Sequence, residues 1–206
     1  MSTFNPTHRR DSLAGQATIA LYRIGQAINH IFREQGTAHK LSTAQIQALL
    51  FLRYARPGVH TIGGLVQRMS ATYATASGVV DALEGKQLVE RQLLPKDQRI
   101  VTLHLTDKGV QEVEFLENML NEIESALAEL SESDLQTFIR ATQSIVRRLQ
   151  KAGHVQVYEM CWNCQFFHKH AHPNAPDGPH HCAFMDAPLP EPNTYLECPD
   201  FTPEDQ

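Results

Sequence analysis

The apolar residues between Thr61 and Gly109 change their spacing twice along the chain. Two short runs recur every three or four residues, as in a helix, and are separated by a break at Ser70-Ala71. The period then falls to two in 88–91 and 100–105, which predicts two strands joined by a turn over 92–98 with the turn-forming Pro95. Two helices joined by a tight turn and followed by a two-stranded ribbon predict a winged helix-turn-helix, which places its second helix in a DNA major groove.

The polar residues at the start of the second helix and at the tip of the ribbon are the candidate DNA contacts. Small and hydroxyl-bearing side chains approach base edges and phosphates closely, whereas a solvated helix face more often carries Glu and Lys. At the tip, the Asp97 carboxylate can orient the guanidinium of Arg99 for a narrow minor groove. The predicted DNA-binding residues are Thr72, Tyr73, Thr75, Ser77, Lys96 and Arg99. A helix pair and hairpin without a DNA role is the alternative.

Helical patterns precede this segment. Residues 1–10 are polar and are interpreted as a flexible arm. A broad apolar stripe from Asp11 to Gln35 predicts a long helix that Gly36 ends. Ser42 and Gln45 then have the spacing of a capping box, and Pro57-Gly58 stops the helix that they begin.

Helical patterns also follow the ribbon. Thr106 or Asp107 is predicted to cap one long helix, and Ser133 a last helix that ends near Gly153. The first of these has a heptad-like seam of Val113, Leu116, Leu120, Ile123, Leu127 and Leu130. Together with the long helix before Gly36, the seam predicts a two-fold helical dimer that suits a roughly palindromic operator. An intramolecular packing stripe is the alternative.

The segment 81–109, DALEGKQLVERQLLPKDQRIVTLHLTDKG, resembles the strand–wing–strand signature of the multiple-antibiotic-resistance regulator (MarR) family. The upstream LSTAQIQALLFLR resembles the helix that leads into the helix-turn-helix of that family, and the resemblance runs from about residue 12 to residue 150. It implies a homodimeric, DNA-binding transcription factor, usually a repressor that a ligand or an oxidant releases.

The composition changes after residue 157. All four cysteines lie in this tail, at Cys161, Cys164, Cys182 and Cys198, among eight prolines and little apolar mass. A segment so short and poor in core requires a metal or disulfides to order it. Disulfides are disfavoured in a reducing cytosol, so the clustered cysteines predict metal ligands. The fold class is therefore mainly α with a small β-wing, comprising a winged-helix and dimerisation domain at 11–153 and an irregular, metal-stapled module at 154–206.

Four thiolates suit either zinc or an iron–sulfur cluster. Zinc modules usually contain two Cys-x-x-Cys pairs. Here Cys182 and Cys198 are single, and 17 and 15 residues separate them from the preceding cysteine. This spacing, with the sequence CWNCQFF at 161–167, resembles the cluster-binding half of high-potential iron–sulfur proteins. The resemblance favours a [4Fe–4S] cluster, and zinc is the alternative. The tail histidines (His168, His170, His172, His180 and His181) are interpreted as solvated loop residues, with a separate metal site or a mixed ligand set as alternatives.

Charge and motifs limit the function. The net charge is −5, yet the tail from Tyr158 holds eight acidic residues and one lysine, so the rest of the chain is slightly basic, as DNA binding requires. No apolar run is long enough to span a membrane and no secretion signal begins the chain, which predicts a cytoplasmic protein.

No nucleophile–base pair or phosphate-binding loop is present in the sequence, so an electron carrier or redox enzyme ranks last. The leading hypothesis is a regulator that senses redox state or iron through the cluster; the second is a MarR-type regulator with a structural zinc tail and a small-molecule effector.

Overall fold

The computed structural model describes residues 2–55, 59–94, 97–155, 161–175, 178–195, 198, 201–202 and 204. The helices are α1 (Pro6–Arg10), α2 (Leu13–His39), α3 (Thr43–Tyr54), α4 (Ile62–Met69), α5 (Tyr73–Gly85), α6 (Asp107–Leu116), α7 (Asn121–Ala128) and α8 (Glu132–Lys151). The strands are β1 (Val89–Leu94), β2 (Asp97–Leu105), β3 (Phe167–His168), β4 (His180–Cys182) and β5 (Ala187–Leu189). The protein is thus mainly helical with small antiparallel sheets, and its winged helix-turn-helix is confirmed.

The core of the winged helix lies between α3, α4, α5 and the β1–β2 hairpin. Its fully buried side chains include Ile46, Leu49, Leu65, Leu83 and Leu103. The predicted capping box starts α3, because Gln45 N donates to Ser42 Oγ at 3.2 Å and Ser42 N donates to Gln45 Oε1 at 3.1 Å. This core fixes the direction in which the start of α5 points.

The wing is longer than the sequence pattern predicts. Val89 pairs with Leu105 and Leu93 with Val101, and the register shifts between Leu93 and Leu94. Much of the predicted 92–98 turn is therefore strand, since the hairpin bonds continue past the alternating apolar positions. Residues 95–96 at the tip lie outside the described part of the chain.

The first long helix continues through the glycine that is predicted to end it. Helix α2 runs to His39, and Lys40 is the left-handed C-terminal residue with φ 56°. Gly36 is buried inside the helix, and a Cβ there would lie 2.5 Å from the Leu41 carbonyl oxygen. The glycine therefore serves the close return of the chain, whose Leu41 N donates to Gly36 O at 2.8 Å, and does not break the helix.

The predicted heptad seam is wrong as one continuous helix, because the chain turns between α6 and α7. Met119 N donates to Leu116 O and Asn121 N to Asn118 O, both at 3.1 Å, so the ladder changes to three-residue spacing. Asparagines at 118 and 121 favour this change, since their side chains compete with the helical backbone. Thr106 caps α6 as predicted, through Gly109 N.

Two terminal predictions also change. The cap of α8 is Ser131, whose Oγ accepts from Asp134 N at 3.2 Å, and not Ser133. Within the arm at 1–10, residues 6–10 form the short helix α1, which Asn5 caps through Thr7 N. The end of α8 at Lys151, close to Gly153 with φ 78°, agrees with the sequence pattern.

The long helices present apolar side chains to solvent in the single chain. On α8, Phe138, Ile139 and Leu149 remain 36%, 39% and 41% exposed, and on α2 Ile24 remains 42% exposed. Contiguous exposed apolar faces of this kind mark interaction surfaces in water. No helix in the described ranges is long and apolar enough to cross a membrane.

The tail is more regular than the sequence pattern predicts. Strands β3, β4 and β5 form an antiparallel sheet in that order, with Phe167 opposite Cys182 and Cys182 opposite Ala187. Short 3₁₀ helices at Cys161–Asn163 and Glu191–Tyr195 lie beside it. Strands of two or three residues carry no detectable alternation, which is why the sequence gives no sign of them.

Gly109→Ala is expected to destabilise the protein although alanine favours helices. A Cβ at residue 109 would lie 2.0 Å from the Leu88 carbonyl oxygen, so α6 and the start of the wing must separate. We expect the free energy of unfolding to fall by about 1–3 kcal/mol in urea denaturation. In the matched control Gly85→Ala the new Cβ meets nothing within 4 Å, so stability should be unchanged or slightly higher. Equal stabilities of the two variants would contradict the close approach.

Candidate nucleic-acid interface and cysteine site

The start of α5 presents three of the predicted DNA contacts to solvent. Thr72 is the N-cap, and its Oγ1 accepts from Thr75 N at 3.2 Å and lies 2.9 Å from Thr75 Oγ1. Tyr73 is 63% exposed, and Ser77 is half-buried one turn further along. The three exposed residues thus form one polar surface at a helix N-terminus, where backbone N–H groups also favour phosphate oxygens.

The wing is attached to α5 by a pair of ion pairs that sequence reasoning missed. Arg91 of β1 donates from Nη2 to Asp81 Oδ1 at 2.7 Å, and its Nη1 bonds Glu84 Oε2. Asp81 and Glu84 lie three residues apart on one side of α5. This acidic pair, followed by an arginine in the next strand, is the feature of the sequence from which the ion pairs could have been predicted. Of the predicted tip residues, Lys96 and the side chain of Arg99 lie outside the described part.

Two lysines near the wing make hydrogen bonds within the fold. Lys86 Nζ donates to the Lys40 carbonyl oxygen at 2.6 Å and to Gln45 Oε1 at 2.8 Å, which ties the end of α5 to α3. Lys108 Nζ donates to the Lys86 carbonyl oxygen at 2.8 Å.

The four cysteines surround one small cavity in the tail. Cys161, Cys164, Cys182 and Cys198 line it together with five apolar side chains (Phe166, Phe167, Phe184, Met185 and Leu189), and its volume is about 20 Å³. None of the four is in a disulfide bond, and Cys164 is buried. The sheet places Cys182, while the 3₁₀ turn places Cys161 and Cys164. The fold therefore brings the predicted ligands together.

The thiols influence one another electrostatically. Burial, and then the neighbouring thiols of Cys198, Cys164 and Cys182, raise the pKa of Cys161 to about 11. A metal must displace the proton from such a thiol before it binds, so metal affinity at this kind of site rises with pH. Among the described residues, no three His, Cys, Asp or Glu side chains converge so as to hold a single metal ion. The metal ligand set therefore stays a prediction.

One tail histidine is a buried structural residue, contrary to its interpretation as solvated. His180 is completely buried; its Nδ1 accepts from His170 N at 3.1 Å, and its Nε2 lies 2.6 Å from Glu191 Oε2. Because Nδ1 accepts, Nε2 carries the hydrogen and donates to the carboxylate. His180 thus joins the sheet to the second 3₁₀ turn. His172 Nε2 and His181 Nδ1 lie 3.2 Å apart outside the thiol cavity.

A second, larger cavity separates the tail from the winged helix. It measures about 650 Å³ and lies between α2, α3 and α4, with Phe32, Leu50, Tyr54 and Arg68 among its lining residues. Cys198 also lines it, so this cysteine stands between the two cavities. Tyr54 donates to Glu117 Oε2 after α6, and this hydrogen bond raises the pKa of the Tyr54 hydroxyl.

Comparison with known proteins finds similarity in the winged-helix part. Residues 41–101 match the model of the MarR family. The HTH-type transcriptional repressor YetL of Bacillus subtilis (strain 168) is 24% identical over 132 residues, which cover 64% of this chain and 79% of YetL.

Solved structures agree with the family match. The S. aureus MepR–DNA complex superposes with a TM-score of 0.56 at 20% identity, covering 64% of this chain and 97% of MepR. CouR from Rhodococcus jostii RHA1 bound to p-coumaroyl-CoA superposes with a TM-score of 0.55 at 20% identity, covering 66% of this chain and 94% of CouR. The fold is therefore of the MarR winged-helix type, and the family match ends before the cysteine tail.

Proposed function

We propose that this chain, which has a MarR-type winged helix, is a cytoplasmic transcriptional repressor that binds a roughly palindromic operator as a homodimer. We further propose that its four cysteines hold a [4Fe–4S] cluster whose state changes operator affinity. The observation that carries the first part is the exposed polar start of α5, a helix whose second half Arg91 joins to the wing. The protein is a regulator and not an enzyme.

The dimer is supported by the helices outside the winged helix. Helix α2 precedes the winged helix in the chain and helix α8 follows it, and both present exposed apolar side chains. Burial of such faces in a partner stabilises at roughly 25 cal/mol per Å² of apolar surface. A two-fold dimer of this kind sets two α5 helices on successive major grooves.

The cluster is supported by the chemistry of the thiol cavity. Four thiols line one small cavity, and the remaining lining is aromatic and aliphatic. Four thiolates are the ligand set both of a cubane and of a tetrahedral zinc ion. Apolar lining excludes water, which slows loss of a cluster and tunes its potential. When bound, the cluster would supply one-electron chemistry, and Cys161, Cys164, Cys182 and Cys198 would hold it.

Anaerobic purification followed by iron, sulfide and zinc analysis tests the cofactor directly. A brown protein with iron and sulfide in equal amounts supports the cluster, and a colourless protein with one zinc per chain supports the zinc alternative. Operator sequences selected from random DNA then allow mobility-shift titration of the holo and metal-free protein. A tenfold difference in affinity corresponds to about 1.4 kcal/mol. Equal affinities would reduce the tail to a structural role.

Tyr73→Ala is expected to weaken operator binding while leaving the fold intact. The side chain is 63% exposed, so its loss costs little packing within the chain. A lost base or phosphate contact costs about 1–3 kcal/mol, which we expect to see in fluorescence anisotropy titrations with the selected operator. The matched control Tyr73→Phe keeps the ring and separates the hydroxyl contact from ring contacts. Unchanged affinity of Tyr73→Ala would remove the start of α5 from the interface.

A small-molecule effector is a second candidate regulator. The 650 Å³ cavity combines aromatic and aliphatic walls with Arg68, which suits an aromatic carboxylic acid. Benzoate, used as a probe, should raise the melting temperature of the protein at millimolar concentration if the cavity binds this class. The same titration on Arg68→Gln should show a smaller rise, and identical rises would place the binding elsewhere.

A further inference from the structure

The Cys-x-x-Cys turn of the tail is docked on α8. The guanidinium carbon of Arg147 lies 4.6 Å from the centroid of the Trp162 ring, a cation–π contact. Next to it, Asn163 Nδ2 donates to Gln150 Oε1 at 3.1 Å. Arg147 and Gln150 are three residues apart and therefore share one side of α8. Both residues between the cysteines of the pair thus contact the helix.

Trp162 is also fixed from the tail side. Its Nε1 donates to Thr194 Oγ1 at 3.0 Å, and Thr194 is completely buried. Its ring lies edge-on to Phe167 at 5.0 Å and to His180 at 5.6 Å. A change in the position of Cys161 or Cys164 must therefore move a ring that is held on both sides. Such a packed ring has few alternative positions.

The other side of the tail offers a looser connection to the body. Cys198 faces α3 and α4 across the 650 Å³ cavity, which Tyr54 and Ser70 also line. Space of that size transmits a small displacement poorly, whereas a packed ring and a hydrogen bond transmit it directly. The contact with α8 is therefore the firmer route from the thiol cavity to the folded body.

Helix α8 carries this contact next to its exposed apolar side chains. At 100° per residue, Arg147 lies opposite Phe138, Ile145 and Leu149, while Gln150 lies on the same side as the exposed Ile139. One helix thus contacts the cysteine turn and also presents the candidate dimer face. Helix shifts of 1–2 Å at a subunit interface are a common means of moving two bound domains relative to each other.

We infer that Trp162 and Asn163 transmit the state of the cysteine site to the dimer through Arg147 and Gln150 of α8. The inference rests on the proposed function and assigns these four residues as positioning residues for its regulation. The cluster holds Cys161 and Cys164 in place, and the turn between them holds α8. Without the cluster the turn relaxes, and α8 loses a cation–π contact and a hydrogen bond.

The test compares Arg147→Gln with Arg140→Gln on the same helix. Arg140 is exposed and donates to Thr137 of α8, so its loss removes the same charge without touching the tail. Two quantities are measured with and without metal: operator affinity, and hydrogen exchange of the amides at 142–151. In the wild type and in Arg140→Gln, we expect metal removal to change affinity about tenfold and to raise exchange in α8. In Arg147→Gln, the ratio of operator affinities with and without metal should fall towards one, while iron content and visible spectrum stay unchanged. Hydrogen exchange in α8 of this variant should be raised even when metal is bound.

Two further variants keep the result interpretable. Arg147→Lys keeps a cation over the Trp162 ring and should restore most of the affinity ratio. Gln150→Ala removes the hydrogen bond with a residue that favours helices, so it replaces Arg147→Gln if that variant does not fold. An iron-loaded Arg147→Gln with the wild-type ratio would overturn the inference and leave the proposed function standing. If the wild type bound the operator equally well with and without its iron, the proposed regulation would be overturned. If metal removal left hydrogen exchange in α8 of the wild type unchanged, the inference alone would be overturned.

Discussion

For the proposed [4Fe–4S] site, Cys164→Ser is expected to remove nearly all bound iron. Cys164 is the buried thiol of the close pair, and a serine hydroxyl in its place is a poor ligand for iron at neutral pH. Iron content should fall from about four atoms per chain to less than one, with loss of the visible absorption of the cluster. Operator affinity should then equal that of metal-free wild-type protein. Colorimetric iron and sulfide assays on anaerobically purified protein, with mobility-shift titrations, provide the measurement.

His172→Gln is the matched control for this variant. His172 also lies in the tail, but it contacts His181 outside the thiol cavity, so its substitution should leave iron content unchanged. Loss of iron from both variants would indicate general unfolding of the tail rather than loss of one ligand. Full iron content in Cys164→Ser would remove this thiol from the ligand set.

Leu83→Ala is expected to cause a large loss of stability in the winged helix. Leu83 is fully buried near the end of α5, where the helix packs on α3 and on the first strand of the wing. Removing its side chain leaves a cavity in a packed core, which costs about 2–5 kcal/mol. Calorimetry should show a melting temperature lower by roughly 2–4 °C for each kcal/mol lost.

Leu93→Ala tests the same chemical change at an exposed position. Leu93 is 58% exposed on the wing, so the loss of stability should be below about 0.5 kcal/mol. A similar loss in both variants would contradict the position of the core between α3, α5 and the hairpin.

The sequence predicts the winged helix well because its signals are local. Apolar residues at 62–69 and 76–83 repeat over complete helical turns, and Ser42 and Gln45 form the capping box that their spacing predicts. The confirmed cap of α6 at Thr106 is equally local. In each case the residues that decide the structure are within four positions of one another.

The errors arise where a close backbone approach or a local backbone preference overrides the apolar pattern. Gly36 looks like a helix end, yet the approach of the Leu41 carbonyl requires a glycine there and Lys40 takes the left-handed position. The predicted seam after Thr106 breaks at Asn118, because apolar periodicity continues through a turn that backbone propensity introduces. Pattern alone does not distinguish these cases.

The candidate site was predictable in its composition and not in its surroundings. The cysteine count and spacing predict four thiol ligands, and these four cysteines line one cavity. The partners of the tail were not predictable, since Arg147 and Glu191 are ordinary surface residues until the fold places them beside Trp162 and His180. Residues separated by 11 to 15 positions give no periodic signal in a segment without repeating structure.

Arg91 joins the wing to α5. Because the strand arginine bonds both Asp81 and Glu84, we expect the wing and α5 to move together. In the proposed homodimer, a stimulus would then mainly change the distance between two such units on the duplex. Operators whose half-sites are moved apart by a single base pair should accordingly invert the preference between the two states of the protein, whereas base changes within a half-site should weaken both states alike.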